Sequence, residues 1–471
     1  MPVDLESTFR AQRRAFEGEA FPDLDQRRAH LRALRAMVLT HRSRLVDAVR
    51  ADFGTRSRAE IELSEIFAVL EAIKRSQRRL RRWMRPRRVG VSPYFQPSRA
   101  EIRPVPRGVV GIVSPWNYPL NLSLSPLQSA LAAGNRVLLK PSERTPATSQ
   151  LLAELLESVF DPDRVAVVLG DAEVGARFAR LPFDHLLFTG STRVGRAVLR
   201  AAAENLVPAT LELGGKCPAL IAPDRRSPRM LRRDAEAIAF GKLLNAGQTC
   251  LAPDYVLVPE PAAADFRAAI AAAIGRLYPR LYDNPDYGAI LGDDHRTRLA
   301  AMVAEARAAG CDVDVVNPSD EDLDAPSPKF PPTLVLDPPE ALQMMREEIF
   351  GPILPIETYQ TLDEALSRIV ARPNPLAMYV FSRVSATVDR VLARARAGGV
   401  TVNDTIMHCV EERLPFGGLG ESGMGAYHGR FGFETFSHLE PIFRRGSVNP
   451  NRMLRPPFGR WIELVLRIVL R

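Results

Sequence analysis

From Val109 onward the chain alternates short β-branched runs with segments of helical length: VVGIVS, RVLLK, RVAVVLG and HLLFTG, the last running into VGRAVLRAAAENL. Strands spaced this way pair in parallel, because a parallel neighbour needs a crossover of a dozen or more residues, and the pattern predicts βαβ units and a doubly wound sheet. A second series follows, ALIAP, YVLVP, TLVLD, ILPIETY, AMYVF and GVTVND, interleaved with AAADFRAAIAAAIGRLY and TRLAAMVAEARAAG. The expected fold is therefore α/β, with two doubly wound parallel-sheet domains in tandem. Their junction falls near Glu212 to Pro218, where LELGGKCP sets a glycine pair and a proline between elements. Ahead of the first strand, PRRVGVSPYFQPSRAEIRPVPRG is too broken for a helix and reads as an extended arm.

A chain of 471 residues, 46% of them hydrophobic, is long enough for such domains. No stretch reaches the ~18 uncharged apolar residues of a membrane-spanning helix. The N-terminus, MPVDLESTFRAQRRAFEGEAF, carries acids early and no continuous apolar run, so it does not read as a secretory signal and a cytoplasmic address is expected. The net charge of +8 is concentrated near the front, where residues 1–107 hold 24 basic and 13 acidic side chains. There arginines alternate with apolar residues at helical spacing, as in RRAHLRALRAMVLTHRSRLVDAVRADF, the pattern of solvated helix faces over a buried stripe. With no nucleic-acid-binding motif beside the charge, no nucleic-acid partner is expected. Cys217, Cys250, Cys311 and Cys409 stand far apart without a CxxC pair, and the histidines lack ligand spacing; reduced thiols and no bound metal follow. Arginine outnumbers lysine 58 to 5, which makes Lys140, Lys216 and Lys242, each inside a motif, informative.

Several segments carry candidate chemistry. FTGSTRVG, with Gly190 and Ser191, ends a strand and opens a helix, so free N–H groups and the positive helix end meet where a pyrophosphate binds; a simple helix cap is the plainer reading. RVLLK delivers Lys140 to a strand end, with Glu143 just beyond, a pair suited to ribose hydroxyls or to closing a helix start. SPWNYP forms a rigid loop that can aim the Asn117 amide at a developing oxyanion, or satisfy its own turn. Cys250 follows the glycine-bearing break in GKLLNAGQT, where a thiolate of lowered pKa suits a nucleophile; a small buried hydrophobe is the alternative, and it is the reading for Cys217, Cys311 and Cys409. Glu212, between leucines and before a glycine pair, has surroundings that raise a carboxyl toward general-base range, unless it stands half-exposed beside Lys216. EEIFGPILP adds Glu347, Glu348 and Phe350 before a turn.

An Asn in PWN, a TGST turn, an ELGG glutamate, a GQTC cysteine and EEIFGP, in this order, form a rare combination. From the basic helices to about Pro441 the chain resembles the aldehyde dehydrogenase superfamily. CLAPDYVLVP and LPFGGLGESGMGAYHGRFGFETFSH resemble its class 3 and fatty-aldehyde branch, and FDHLLFTGSTRVG, GKLLNAGQTCLAPDYVLVP and RPNPLAMYVF resemble the coniferyl aldehyde dehydrogenases within it. The resemblance implies a Rossmann-like NAD(P)-binding domain (1–88 and 107–211), a catalytic domain (212–405), and a small β oligomerisation arm with a C-terminal segment (89–106 and 406–445), assembled as a homodimer. It implies Cys250 as nucleophile, Glu212 as general base and Asn117 with the Cys250 N–H as oxyanion hole. Lys140 and Glu143 then approach the adenosine ribose, Gly190 and Ser191 the pyrophosphate, and Glu348 with Phe350 the nicotinamide end, with Trp116 packed beside the cofactor and Tyr118 a wall of the substrate pocket. NAD is the expected cofactor, NADP the alternative, since Glu143 repels a 2'-phosphate while Lys140 offsets it. The substrate implied is a hydrophobic aldehyde, aromatic such as coniferyl or medium- to long-chain aliphatic. A CoA-acylating or semialdehyde-specific enzyme and a non-catalytic protein of the same fold are the rivals. Glu411 and Glu412 place charge near the implied substrate mouth, and His408 reads as structural.

Residues 446–471 form an expected amphipathic tail. Projected as a helix, Arg460, Glu463, Arg467 and Arg471 share one polar wedge, and Trp461, Ile462, Leu464, Val465, Leu466, Ile468, Val469 and Leu470 cover the rest. Such a helix docks on the fold or second subunit, or makes peripheral contact with an anionic membrane through residues 457–471.

Overall fold

The computed structural model describes residues 4–225, 227–447 and 455–470, so residues 448–454 and Arg471 of the expected tail lie outside the described residues. Five strands, Val165–Val167, Arg136–Lys140, Val109–Val113, His185–Thr189 and Ala209–Glu212, lie side by side in that order, all parallel, with Gly423–Met424 added antiparallel at the edge. They read as near-continuous apolar runs because helices cover both faces. A second sheet of seven strands runs Asp312–Val315, Thr333–Leu336, Ile353–Tyr359, Tyr255–Pro259, Pro218–Ile221, Ala377–Phe381 and Gly399–Val402, parallel except for the first pair. A three-stranded antiparallel arm joins Arg87–Val89, Arg99–Pro106 and Ser437–Arg444.

Some strands escape the sequence reading. Ala209–Glu212 ends where the junction near Glu212 to Pro218 begins and is too short to stand out, Asp312–Val315 shows no apolar run, and Gly423–Met424 is too short to show alternation; its partner, Leu211–Glu212, is distant in sequence.

The basic helices bury apolar stripes and expose most of their arginines. Helices Leu24–Thr40, Arg42–Phe53 and Ala68–Met84 sink Leu31, Leu34, Val38, Leu45, Val49, Ile73 and Leu80 into one core with the first sheet. Arg27 breaks that rule, and Arg56, in the loop after Arg42–Phe53, is buried as well.

All parallel strands of the first sheet end on one edge. Lys140 and Glu212 are the last residues of their strands, Ser114–Asn117 leave the strand Val109–Val113, and Gly190 and Ser191 leave the strand His185–Thr189. That edge is the crevice in which ligands of open α/β sheets bind.

Candidate active site

Cys250 is presented by a strained turn. Helix Pro228–Leu243 ends in a tight loop in which Asn245 (φ 50°), Ala246 (φ 52°) and Gly247 (φ 80°) occupy the left-handed region. A Cβ at position 247 would meet the Gly351 carbonyl oxygen at 2.4 Å, so only glycine fits. The two non-glycine residues cost about 1–3 kcal/mol each, and the surroundings over-determine them. The Asn245 N–H donates to Glu60 at 3.0 Å, its amide donates to the Asn117 carbonyl at 2.9 Å, and Gln248 donates to Ala289 and accepts from Leu291.

The loop opens into a channel of about 200 Å³ that Cys250 shares with Glu212, Tyr118, Thr249, Thr189 and Cys409. Leu63, Phe67, Val410, Phe416 and Tyr427 make the rest of it largely apolar. Glu212 is buried, not half-exposed beside Lys216, and neither of its carboxyl oxygens has a hydrogen-bond partner. Burial holds its pKa well above the ordinary carboxylate value. Lys216 pairs instead with Asp254 and donates to the Met344 carbonyl at 2.6 Å.

The expectation of a lowered thiol pKa is overturned. Burial raises the Cys250 pKa well above the ordinary value, and the carboxylate of Glu348 and neighbouring groups push the same way. Burial and these neighbours favour the thiol form of Cys250 in the protein alone. Cys409, read from sequence as packed interior, lines the same channel. Cys217 keeps the structural reading: its thiol is buried and donates to the Cys250 carbonyl at 3.4 Å.

Asn117 is held from three sides. Its carbonyl accepts from Arg56 at 3.0 Å and from Asn245, and its side-chain nitrogen donates to the Gln248 carbonyl at 3.1 Å. That uses one of the two amide protons and leaves the other free to donate. Arg56 is enclosed between the rings of Phe53 and Tyr118, and it pairs with Glu60 at 3.0 Å and Glu65 at 2.9 Å. Glu65 in turn accepts from the N–H groups of Leu120 at 2.7 Å and Asn121 at 3.3 Å. Tyr118 bonds Thr249 at 2.7 Å, which locks its ring into the channel wall.

At the crevice, buried Lys140 pairs with Glu143 at 2.9 Å. The Gly190 N–H donates to the Glu212 carbonyl at 3.0 Å, and Ser191 caps the helix Thr192–Ala203 through a long bond of 3.4 Å to Val194. Trp116 meets Phe350 edge-on with ring centroids 5.3 Å apart, and the Arg144 guanidinium lies over the same indole. Phe350 itself has φ 55°. Glu348 is half-buried against Gly214, where a Cβ would stand 2.0 Å from its carboxyl oxygen, and desolvation, reinforced by Asp254, pushes its pKa up to about 8.

This assembly of a half-buried thiol, an unpartnered carboxyl and a free amide proton at a sheet edge has counterparts elsewhere. Residues 2–442 match the model of the aldehyde dehydrogenase family. The chain belongs to the aldehyde dehydrogenase family. A probable coniferyl aldehyde dehydrogenase of Pseudomonas aeruginosa is 46% identical over 468 residues, covering 99% of this chain and 96% of that one. A coniferyl aldehyde dehydrogenase of a Pseudomonas species is 44% identical and covers 95% of this chain and 92% of its own. A solved structure of the substrate-bound state of Staphylococcus aureus AldH superposes with a TM-score of 0.92 at 35% identity, covering 100% of both chains.

The protein is an NAD(P)+-dependent aldehyde dehydrogenase. Residues of the crevice fit such a cofactor. A lysine–carboxylate pair, a glycine-serine turn at a helix start and a Trp–Phe pair offer partners for a ribose, a pyrophosphate and a flat ring, and Gly214 leaves no side chain between Glu348 and the crevice. Sequence reasoning about this aldehyde dehydrogenase missed Arg56, Glu60 and Glu65, which sit in a run of ordinary helix charges with no local signal. It also passed over Asp254 in CLAPDY, the partner of Lys216 whose other oxygen accepts from the Ile349 N–H at 3.0 Å and so fixes the loop bearing Glu348. Lys242 is buried without a hydrogen-bond partner, and burial lowers its pKa to about 8.

Proposed function

We propose that this enzyme oxidises hydrophobic aldehydes to carboxylic acids, with aromatic aldehydes such as coniferyl aldehyde preferred to medium- or long-chain aliphatic ones. The observation that carries the reading is an apolar channel that ends on Cys250 and Glu212. The Cys250 sulfur, its proton passed to Glu212 or water, attacks the aldehyde carbon and forms a thiohemiacetal. The free Asn117 amide proton holds the oxyanion, a donor typically worth about 3–4 kcal/mol. Bound NAD(P)+ supplies the hydride acceptor, and its positive charge would offset the desolvation that favours the protonated Cys250 thiol. The thioester left on Cys250 is cleaved by water deprotonated by Glu212, releasing the acid and the thiol. Water as acceptor, set beside an unpartnered buried base, favours this reading over acyl transfer to CoA.

Lys140 and Glu143 would hold the adenosine ribose, Gly190 and Ser191 the pyrophosphate, and Glu348, Phe350 and Trp116 the nicotinamide end. NAD ranks ahead of NADP because Glu143 repels a 2'-phosphate. Domain bounds of 1–88 with 107–211, 212–405, and 89–106 with 406–445 remain part of the proposal. So does a cytoplasmic homodimer formed through the arm, whose Val89, Leu439 and Phe443 are exposed. The helix Arg460–Val469 exposes Trp461, Leu464, Leu466 and Ile468, an apolar face that suits peripheral contact with an anionic membrane. Among the described residues no helix is long and apolar enough to cross one.

The test is an aldehyde panel, aromatic, aliphatic and anionic, run with NAD+ and with NADP+, on wild type and Cys250→Ala. Aromatic aldehydes should give the highest kcat/KM and the variant no turnover. Preference for anionic aldehydes, or product formation that requires CoA, would refute the substrate reading.

A further inference from the structure

One charged group in the substrate channel has no part in the chemistry above. Glu412 lines the channel among Leu63, Phe67, Val410, Phe416 and Tyr427, and only 19% of its side chain is exposed. One carboxyl oxygen, Oε2, accepts the Gly429 N–H at 3.1 Å. The other, Oε1, stands 3.9 Å from Nδ1 of His428, beyond hydrogen-bond reach, and that imidazole is neutral because burial lowers its pKa to about 4. His428 Nδ1 is itself buried without a partner.

The backbone is bent to maintain this arrangement. His428 has φ 91° and Gly429 φ 47°, and a Cβ on residue 429 would meet the Glu412 carbonyl oxygen at 2.3 Å. The His428 ring is clamped between Phe416, stacked at 5.0 Å, and Tyr427, edge-on at 4.6 Å. Strain of this kind persists only where the surroundings enforce it, and it collects at ligand-contacting positions. A carboxylate set into an apolar wall, with one oxygen satisfied by Gly429 and no protein donor on the other, is of no use to a channel that carries only hydrocarbon, because desolvating that second oxygen by an apolar substrate is costly. It is well placed for a substrate that is apolar along its length and bears a hydroxyl beyond the aldehyde.

We propose that Glu412 is a specificity-determining residue: its free Oε1 accepts a hydrogen bond from a hydroxyl on the body of the aldehyde, the phenol of a 4-hydroxyaryl aldehyde above all. This rests on the aromatic-aldehyde reading of the site. Burial, partly offset by the Gly429 N–H and the Arg75 charge, pushes the Glu412 pKa up to about 7, so the accepting carboxylate is present at and above neutrality. A hydrogen bond to a charged group discriminates by about 10- to 100-fold between a substrate that makes it and one that cannot.

The experiment measures kcat/KM for wild type, Glu412→Gln and Glu412→Leu on coniferyl aldehyde, its 4-O-methyl ether and unsubstituted cinnamaldehyde. Melting temperature and NAD+ binding serve as folding controls. Wild type should favour the phenol over the methyl ether by about 10- to 100-fold; the ratio should collapse toward one in Glu412→Leu and survive in part in Glu412→Gln, which keeps a carbonyl acceptor. Equal use of phenol and ether by wild type, or an unchanged ratio in a folded Glu412→Leu, overturns the assignment while aryl aldehydes remain substrates. Should wild type oxidise aliphatic aldehydes but no aryl aldehyde, the aromatic reading itself falls and takes the assignment with it.

Discussion

Replacing Glu65 by glutamine tests whether the buried ion pair behind the oxyanion loop aims Asn117 or merely stabilises the fold. Both side chains of the Arg56–Glu65 pair are 0% exposed. Removing one member of a buried pair costs about 3–5 kcal/mol, because the other charge is left uncompensated. Arg56 keeps Glu60 at 3.0 Å, which places the loss near the lower end. The glutamine also presents an amide donor where Glu65 accepts from Arg56, Leu120 and Asn121, so part of that set must break. A loss of about 3 kcal/mol corresponds to a fall of roughly 6–12 °C in melting temperature for a domain of ~200 residues. Because Arg56 also donates to the Asn117 carbonyl, the loop should shift by a fraction of an ångström. Misplacement on that scale costs up to about 100-fold in rate. Stopped-flow measurement of the reduced-cofactor burst at saturating aldehyde reads the acylation step directly, and in Glu65→Gln it should slow while cofactor affinity holds. A variant that melts early yet shows the wild-type burst rate would refute the aiming role and leave the pair as fold support alone.

Glu212→Gln should retain the hydride burst but deacylate slowly, and wild-type deacylation should rise with pH through a pKa well above the ordinary carboxylate range; equal steady-state rates for the two proteins would remove the base assignment. The same residue has a stability signature. Its folded pKa lies above the unfolded value of about 4.3, so the folded chain holds the extra proton across that interval and stability falls as pH rises through it. The melting temperature of Glu212→Gln relative to wild type should therefore climb from pH 5 to pH 9, and a flat difference would show that the carboxyl is not buried in solution. Glu143→Ala should weaken NAD+ and improve NADP+, which a kcat/KM ratio for the two cofactors records; an unchanged ratio would separate Glu143 from the ribose. Truncation before Pro457 should abolish flotation of the protein with anionic liposomes, and equal flotation of intact and truncated chains would dismiss the membrane contact.

The fold was legible where side chains announce their period. Runs such as RVLLK and YVLVP are apolar on both faces because helices cover both sides of a parallel sheet, and they stand out from the polar turns beside them. Asp312–Val315 and Gly423–Met424 are edge strands held by backbone bonds, with little apolar pattern to read. Within the site, Cys250, Glu212, Asn117 and Lys140 could be picked out because each stands at a strand end or a chain break, where local sequence departs from the helix and strand periods. Arg56 and Glu65 could not, since an arginine followed by acids at helical spacing describes a solvated surface as well as it describes a buried network; only Asn117, far along the chain, tells them apart.

The ionisation of Cys250 was misjudged for a related reason. A break in a helix says that a thiol is presented, but whether it is a thiolate depends on the summed field of groups brought in from elsewhere. Here burial contributes most, and Glu348, Cys409, Cys217 and Glu212 push the same way, with Lys216 already committed to Asp254. A nucleophile kept protonated by desolvation reacts slowly with alkylating agents until a neighbouring positive charge favours the thiolate. Alkylation of Cys250 by iodoacetamide should accordingly be slow in the protein alone and accelerate when NAD+ is bound, with Cys250→Ala as the control for labelling at Cys409 in the same channel. Rapid labelling without cofactor at neutral pH would show that the thiolate is preformed, and that the desolvation argued from burial does not govern this sulfur.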